Sequence, residues 1–143
     1  MNFVYDLFDN ALTARDYIRL RDTQPWRKFS EVQVETALVN SLVTVAAICG
    51  DDIIGMGRLT GDGVTIFYIQ DVIVLPEFQG QGVGKAIINR LIECVKEIAL
   101  PGTNISIALF SEKGKEGFYQ KFGFNALPND MRGAAMEIKL TTE

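Results

Sequence analysis

The segment from Asp71 to Lys85 constrains this chain more than any other part of its sequence. It reads DVIVLPEFQGQGVGK, an apolar run that ends at Pro76, followed by three alternate glycines and then an amphipathic stretch. This order predicts a strand, a tight turn and the N-terminus of a helix. Unpaired backbone N–H groups and the helix dipole favour negative charge at such a junction, so the segment is a candidate phosphate site.

The spacing of the glycines excludes the two commonest phosphate loops. A Walker loop has four residues between its glycines and then Lys-Ser or Lys-Thr, whereas here three residues separate Gly80 from Gly84 and alanine follows the lysine. A dinucleotide fingerprint, Gly-x-Gly-x-x-Gly, would place its third glycine one residue later. What remains is Gln79-x-x-Gly82-x-Gly84, which is either another anion-binding turn or a tight turn that binds no ligand.

A second segment, Gly117 to Phe124, has the sequence GFYQKFGF. Its Phe-Tyr-x-x-x-Gly-Phe pattern and the glycine turn, in this order and at this separation, resemble the GNAT superfamily of N-acetyltransferases. The resemblance implies a single GNAT-type domain over residues 1–143 and acetyl-coenzyme A (acetyl-CoA) as co-substrate. It also implies an α/β fold whose mixed, mostly antiparallel central sheet is flanked by helices.

The remaining sequence patterns predict the same element order. Strands are expected at 3–8, 42–49, 53–59, 64–75, 105–110 and 136–140, and helices at 13–21, 30–38, 83–98 and 115–121. Thr13 with Asp16, and Ser30 with Gln33, have the spacing of capping boxes and predict the starts of the first two helices. The long helix carries its apolar residues on one face and should end at Pro101.

Composition narrows the classes of function. A net charge of −4 argues against nucleic-acid binding, which needs a basic face. No apolar run approaches about 18 residues and no basic-then-apolar start is present, which argues against a membrane span or signal peptide and favours the cytoplasm. Cys49 and Cys94 are expected to be buried free thiols in a reducing compartment. Because the chain has no histidine, histidine-based catalysis and most zinc sites are excluded, and no metal is expected.

The resemblance implies cofactor contacts on the fourth strand and on the glycine turn. Backbone groups of the strand would hold the pantetheine arm and polarise the acetyl carbonyl, and the turn would hold the pyrophosphate. One further contact is expected after the fifth strand, at a serine where many relatives carry asparagine. These cofactor-binding candidates are Val72, Ile73, Val74, Gln79, Gly80, Gln81, Gly82, Val83, Gly84, Lys85 and Ser111, together with Tyr119.

The resemblance also implies that Tyr119 is the general acid that protonates the departing thiolate, a role that suits a phenol at neutral pH. From the residue alone, the alternative is a tyrosine that only packs in the core, because phenylalanines stand at 118, 122 and 124. The presence of the glycine turn favours the catalytic interpretation.

No conventional base stands where relatives often carry one on the fourth strand, because Tyr68 and Gln70 occupy those positions. Asp71 is the nearest carboxylate and the candidate base, acting through water. Strand alternation places it on the opposite face from Gln70 unless a bulge redirects it. An ion-paired Asp71, or an amine that arrives already unprotonated, are the alternatives.

The resemblance also implies an acceptor pocket between the first helices, their loop and the third and fourth strands. The candidates are Trp26, Arg27, Arg58, Asp62, Tyr68 and Gln70. Trp26 is either an exposed contact or a core anchor, and Arg58 is expected to pair with a carboxylate.

The resemblance implies transfer of an acetyl group to a primary amine, preferably of a small molecule, by direct attack. A homodimer is expected as in many relatives, since 48% of this small chain is apolar and the predicted sheet has open edges. A non-catalytic acyl-CoA-binding or regulatory module and a protein lysine or N-terminal acetyltransferase are the alternatives.

Overall fold

The computed structural model describes residues 3–142, and the chain divides into two compact units after Ala108. The first unit contains a five-stranded sheet with helices packed against it, and the second contains one short helix. The strands are β1 (Asp6–Asp9), β2 (Val43–Cys49), β3 (Asp52–Gly61), β4 (Phe67–Val74) and β5 (Ile107–Ala108). The helices are α1 (Ala14–Arg21), α2 (Glu31–Val39), α3 (Val83–Ile98) and α4 (Glu116–Gln120), and a 3₁₀ turn spans Pro76–Phe78.

The strands lie in their order along the chain, β1-β2-β3-β4-β5. The first three pairings are antiparallel, and β4 pairs with β5 in parallel. The mixed, mostly antiparallel sheet that was predicted is therefore confirmed. Within residues 3–142, no helix has both the length and the apolar composition that crossing a membrane would require.

Both predicted helix starts are confirmed by their capping hydrogen bonds. The Thr13 hydroxyl accepts the backbone N–H of Asp16 at 3.2 Å, and the Ser30 hydroxyl accepts that of Gln33 at 3.2 Å. The side-chain oxygen of Gln33 in turn accepts the backbone N–H of Ser30 at 2.7 Å, which completes a capping box.

Helix α3 packs closely against one face of the sheet. A Cβ atom added at Gly57 would lie 2.7 Å from Ile87 and 2.8 Å from Leu91, so this position on β3 must be glycine for the helix to approach. On the other face, a buried core joins α1 and α2 to the sheet. The buried residues of this core include Leu12, Tyr17, Leu20, Val34, Ala46, Ile53, Met56 and Ile73. Cys94 is buried in α3 as predicted, whereas Cys49 is only half-buried.

The fourth strand begins later than the predicted residue 64. The Asp62 carboxylate accepts the backbone N–H groups of Val64, Thr65 and Ile66 at 2.7–2.8 Å, so these residues form a turn instead of a strand. The hydrogen bond from the Thr65 hydroxyl and these backbone hydrogen bonds hold the pKa of Asp62 well below its usual range. Asp62 was predicted to contact the acceptor, but its carboxylate already accepts the backbone hydrogen bonds of this turn.

The predicted strand at 136–140 is wrong, because the structure assigns no strand there. Met136, Ile138 and Leu140 alternate with charged residues, which is the pattern of a half-buried strand. Their exposures are 90%, 81% and 76%, so the apolar side chains are not buried. Alternation alone does not supply the neighbouring backbone that a strand needs for its hydrogen bonds.

Candidate active site

The glycine turn has the geometry of an anion site at the start of α3. Gly80 and Gly82 have φ values of +76° and +87°, and Gly82 is the N-cap of the helix. The first helical hydrogen bond runs from the Ala86 N–H to the Gly82 carbonyl at 3.0 Å. The preceding helical amides therefore have no partner within the helix. These amides, from residues 83–85, and the helix dipole favour a negatively charged group such as a pyrophosphate.

The side chains of Gln79, Gln81 and Lys85 are exposed, whereas that of Val83 is buried. The Gln79 amide nitrogen donates to the backbone carbonyl of Val74 at 2.9 Å, so this side chain joins the turn to the end of β4. Its predicted contact with a pyrophosphate stays a prediction. The backbone amides of the turn are the groups whose geometry best fits a phosphate.

Strand β4 carries one more residue than β3 over the same stretch. Arg58 pairs with Gln70 and Met56 pairs with Ile73, so two steps along β3 oppose three along β4. This register defines a β-bulge, and the φ of +60° at Asp71 lies in the left-handed region that few non-glycine residues adopt. The bulge lies on the strand where the pantetheine arm was predicted to bind.

The bulge also changes which face Asp71 occupies. Gln70 pairs with Arg58, and residues directly opposite each other project from the same face of a sheet. The Asp71 side chain reaches the Arg58 guanidinium, so it too projects from that face. Simple alternation, which places Gln70 and Asp71 on opposite faces, fails here because the extra residue shifts the side-chain period.

Beyond Tyr68, β4 leaves its parallel neighbour. Within residues 3–142, β5 pairs with β4 only at Phe67 and Tyr68. The following residues, 69–74, therefore present an edge to which an extended ligand can add as a further strand would. Val72, Ile73 and Val74 lie on this stretch, where the cofactor arm was predicted to bind.

The Asp71 carboxylate lies in a buried cluster that we call the Asp71 cluster, which comprises Tyr17, Arg21, Arg58 and Asp71. The Tyr17 hydroxyl and the Arg58 Nε donate to Oδ2 at 2.5 and 3.2 Å, and the Arg21 Nη1 donates to Oδ1 at 2.5 Å. Only 1% of the Asp71 side chain is exposed. The ion pair expected of Arg58 is confirmed, and Asp71 is engaged on both oxygens.

The buried phenol of Tyr17 has a raised pKa in this cluster. Burial and then the charge of the Asp71 carboxylate raise the pKa of Tyr17 to about 12. Tyr17 and Arg21 were not predicted as site residues. Their spacing of four on α1 places them on one helix face, but nothing in the sequence joins that face to a residue 50 positions later.

A pocket of about 100 Å³ opens beside α1, α2 and their loop. Trp26 and Arg27 line it, as predicted for acceptor contacts, whereas Arg58, Tyr68 and Gln70 do not belong to its lining. Its other lining residues are Tyr17, Ile18, Arg21, Asp22, Lys28, Phe29 and Val34. Trp26 is half-buried and packs against the core, so it serves both as a core anchor and as a pocket wall.

Arg21 connects this pocket with the bulge. Its guanidinium carbon lies 5.1 Å from the Trp26 ring and 4.7 Å from the Phe29 ring, which is cation–π distance. Its Nη2 donates to the Arg27 carbonyl at 2.7 Å, while Nη1 holds Asp71. One side chain thus touches the pocket wall, the loop backbone and the bulged strand.

The second unit carries the other two predicted residues. Tyr119 lies half-buried on α4, with its ring 5.0 Å from Phe118 and 6.1 Å from Phe124. Ser111 is half-buried, and its hydroxyl donates to the Glu112 carbonyl at 2.8 Å. The aromatic contacts fit both interpretations of Tyr119, so its role as the acid stays a prediction.

Comparisons with known proteins agree with this geometry. The sequence model of a family described as the acetyltransferase (GNAT) domain matches residues 40–126. An uncharacterized N-acetyltransferase, ycf52, of Pyropia yezoensis is 33% identical over 119 residues, which cover 80% of this chain and 66% of that protein. The chloroplastic GCN5-related N-acetyltransferase 1 of Arabidopsis thaliana is 31% identical over 145 aligned positions, which cover 90% of this chain and 72% of that protein.

Solved structures show the same relationship. A probable acetyltransferase from meticillin-resistant Staphylococcus aureus is 31% identical with a TM-score of 0.82, and the match covers 96% of this chain and 100% of that one. An aminoglycoside N-acetyltransferase, solved in complex with CoA, has a TM-score of 0.70 at 16% identity over 97% of each chain. At that identity the likeness concerns the fold alone.

Proposed function

The chain belongs to the GNAT family of N-acetyltransferases, and we propose that it transfers the acetyl group of acetyl-CoA to the primary amine of a small molecule by direct attack. The observation that carries this proposal is the junction of β4 and α3. A bulged strand with an open edge leads directly into a turn whose amides point out of a helix N-terminus. An extended arm ending in a pyrophosphate fits this arrangement.

The proposed chemistry uses few protein groups. Bound acetyl-CoA supplies an acetyl group that a thioester has activated, and the amine nitrogen attacks its carbonyl carbon. The bond to sulfur then breaks, and Tyr119 donates a proton to the departing thiolate. Because Asp71 is engaged on both oxygens, we propose that the amine arrives as its free base, with water taking any remaining proton.

The pocket supports a small acceptor. Its volume of about 100 Å³ suits a short amine-bearing group, and three rings, those of Tyr17, Trp26 and Phe29, contribute to its lining. Two relatives illustrate the range of acceptors. The serotonin N-acetyltransferase 2 of Oryza sativa is 37% identical over 83 residues, and the histone acetyltransferase TAP1 of Glycine max is 32% identical over 116 residues. A protein lysine is therefore the second candidate acceptor.

The test measures thiol release from acetyl-CoA with three sets of acceptors. The first contains aliphatic and arylalkyl amines, the second contains lysine-bearing peptides, and the third contains no acceptor. Turnover with the amines and little with the peptides would support the proposal, and the reverse would favour protein acetylation. Acetyl-CoA binding by calorimetry without turnover in any set would favour the non-catalytic module.

Two further properties belong to the same proposal. We propose a homodimer, since β1 pairs on one side only within residues 3–142 and its Phe8 side chain is 47% exposed. Sedimentation showing a monomer at high micromolar concentration would contradict it. The two free cysteines fit a reducing compartment such as the cytoplasm, which localisation of the tagged protein would test.

A further inference from the structure

We propose that Asp71 is a positioning residue, whose buried carboxylate holds the β4 bulge in place and thereby orients the backbone N–H groups that polarise the acetyl carbonyl of acetyl-CoA. The inference rests on the proposed function, because it assigns a role to a group within the same site. Asp71 is then not the base that removes a proton from the amine, but a residue that holds the backbone of β4 in position.

The first step of the argument is the backbone conformation. Asp71 has a φ of +60° at the bulge. A non-glycine residue persists in this region only when the surrounding structure holds it there. Asp71 must therefore be held by its own contacts, and the position of every later residue of β4 depends on that conformation.

The second step is the source of those contacts. They come from two different elements, since Tyr17 and Arg21 belong to α1 and Arg58 belongs to β3. Each donates to the same carboxylate, and two of the three donor–acceptor distances are 2.5 Å. No buried side-chain nitrogen or oxygen of the described chain lacks a hydrogen-bond partner, so this polar cluster is fully satisfied. Such a network fixes one backbone arrangement in preference to others.

The third step concerns proton transfer. A general base must reach the proton that it removes, directly or through one water. The Asp71 side chain is 1% exposed, and both of its oxygens already accept hydrogen bonds from the protein. The phenol and the two guanidiniums thus surround the carboxylate and leave it poorly placed to accept a substrate proton.

The last step is that the Asp71 cluster connects strand β4 with the pocket beside α1. On one side, Asp71 fixes the strand whose open edge would hold the thioester. On the other side, Arg21 holds the Arg27 carbonyl and packs on the rings of the pocket. The same carboxylate therefore sets the relative position of the two reacting groups, and a shift of about 1 Å in such positions can cost about 10²-fold in rate.

The test replaces Asp71 by asparagine, which tolerates the left-handed region about as well as aspartate but removes the charge. Isotope-difference infrared spectroscopy of bound, carbonyl-labelled acetyl-CoA measures polarisation of the thioester without any acceptor. We expect a single lowered carbonyl frequency in the wild type and a smaller or heterogeneous shift in Asp71→Asn. The control, Asp9→Asn, removes a surface ion pair of equal length, Asp9 with Arg90, and should leave the band unchanged.

Kinetics on an amine identified in the screen provide the second readout. A positioning role predicts a fall in kcat of about 10²-fold at every pH, with an unchanged shape of the pH–rate profile. A base role predicts a normal infrared shift and loss of the acidic limb of the profile in Asp71→Asn. That result, or wild-type bands and turnover in the variant, would overturn the proposal.

If Asp71→Asn does not fold, a second variant still tests the proposal. Tyr17→Phe removes one of the three donors and keeps the ring, and it should reduce the infrared shift by a smaller amount than Asp71→Asn. An unchanged band in a folded Tyr17→Phe protein would count against the proposal if Asp71→Asn cannot be made. Absence of any bound acetyl-CoA in the wild type would instead refute the proposed function, so the two failures are distinguishable.

Discussion

The Asp71 cluster and the aromatic segment around Tyr119 are supported in different ways. In the cluster, a buried carboxylate is held by donors that lie 13, 50 and 54 positions away in sequence. Around Tyr119, the ring contacts with Phe118 and Phe124 join residues that are near one another in sequence, and the tyrosine is half-buried. We therefore expect changes in the cluster to affect folding and function together, whereas Tyr119→Phe, which keeps the ring and its contacts, should affect mainly function.

The largest expected effect is a loss of turnover in Tyr119→Phe without a matching loss of stability. Tyr119→Phe should lower turnover by about 10²–10⁴-fold, the range for losing a positioned acid. It should melt near the wild-type temperature, because the ring contacts with Phe118 and Phe124 remain. The fall should be smaller for acyl donors whose thiol has a lower pKa, since a better leaving group needs less protonation. Turnover with a confirmed amine and thermal denaturation are the measurements.

The control for that variant is Tyr5→Phe, which removes the hydroxyl of a tyrosine whose ring contacts Phe3 at 5.8 Å. It should change neither turnover nor melting. Full turnover in Tyr119→Phe would show that the tyrosine only packs and that the general-acid role is wrong.

The second prediction concerns the folding contribution of the cluster. Tyr17 has a pKa of about 12 in the folded protein and about 10 in an unfolded chain. Between these values the unfolded state releases a proton that the folded state keeps, so the free energy of unfolding falls as pH rises. The contribution is complete below about pH 10, and its full loss is on the order of 3 kcal/mol.

Urea unfolding of the wild type and Tyr17→Phe across this alkaline range measures the effect. The variant lacks the titrating phenol, so the difference in unfolding free energy between the two proteins should narrow as pH rises. All other side chains are common to both proteins, so the difference between the two curves isolates the Tyr17 phenol. Parallel curves would mean that the Tyr17 hydroxyl is not held by Asp71 as the structure shows.

The third prediction tests whether the glycine turn, which depends only on neighbouring residues, binds the phosphates of acetyl-CoA. Gly82→Val should weaken acetyl-CoA binding at least about tenfold, or about 1.4 kcal/mol, because a side chain there strains the backbone or enters the phosphate space. Gly102→Val is the matched control, since Gly102 also has a positive φ, +76°, and an added Cβ atom there would meet no other atom within 4 Å, as at Gly82. It should lower stability similarly but leave calorimetric affinity unchanged. Equal affinity in a folded Gly82→Val protein would refute the phosphate role.

The contrast between contacts that are local in sequence and contacts that are distant in sequence explains which features could be predicted. The glycine turn, both helix caps and the long helix depend on neighbouring residues, and these features were predicted correctly. The bulge could not be predicted, because one extra residue in β4 is defined only by its register with β3. Tyr17 and Arg21 were missed for the same reason, since their functional context is a contact across about 50 residues.

The smallest expected effect tests the one predicted strand that the structure lacks. Ile138 is 81% exposed, so Ile138→Ala should change the free energy of unfolding by less than about 0.5 kcal/mol. Ile88 on α3 is fully buried, and Ile88→Ala should cost about 2–5 kcal/mol through lost packing and the cavity it leaves. Urea unfolding measures both. A cost above about 1 kcal/mol at Ile138 would mean that residues 136–140 are packed after all, as their alternation predicts, and that the C-terminal segment relies on distant contacts as the Asp71 cluster does.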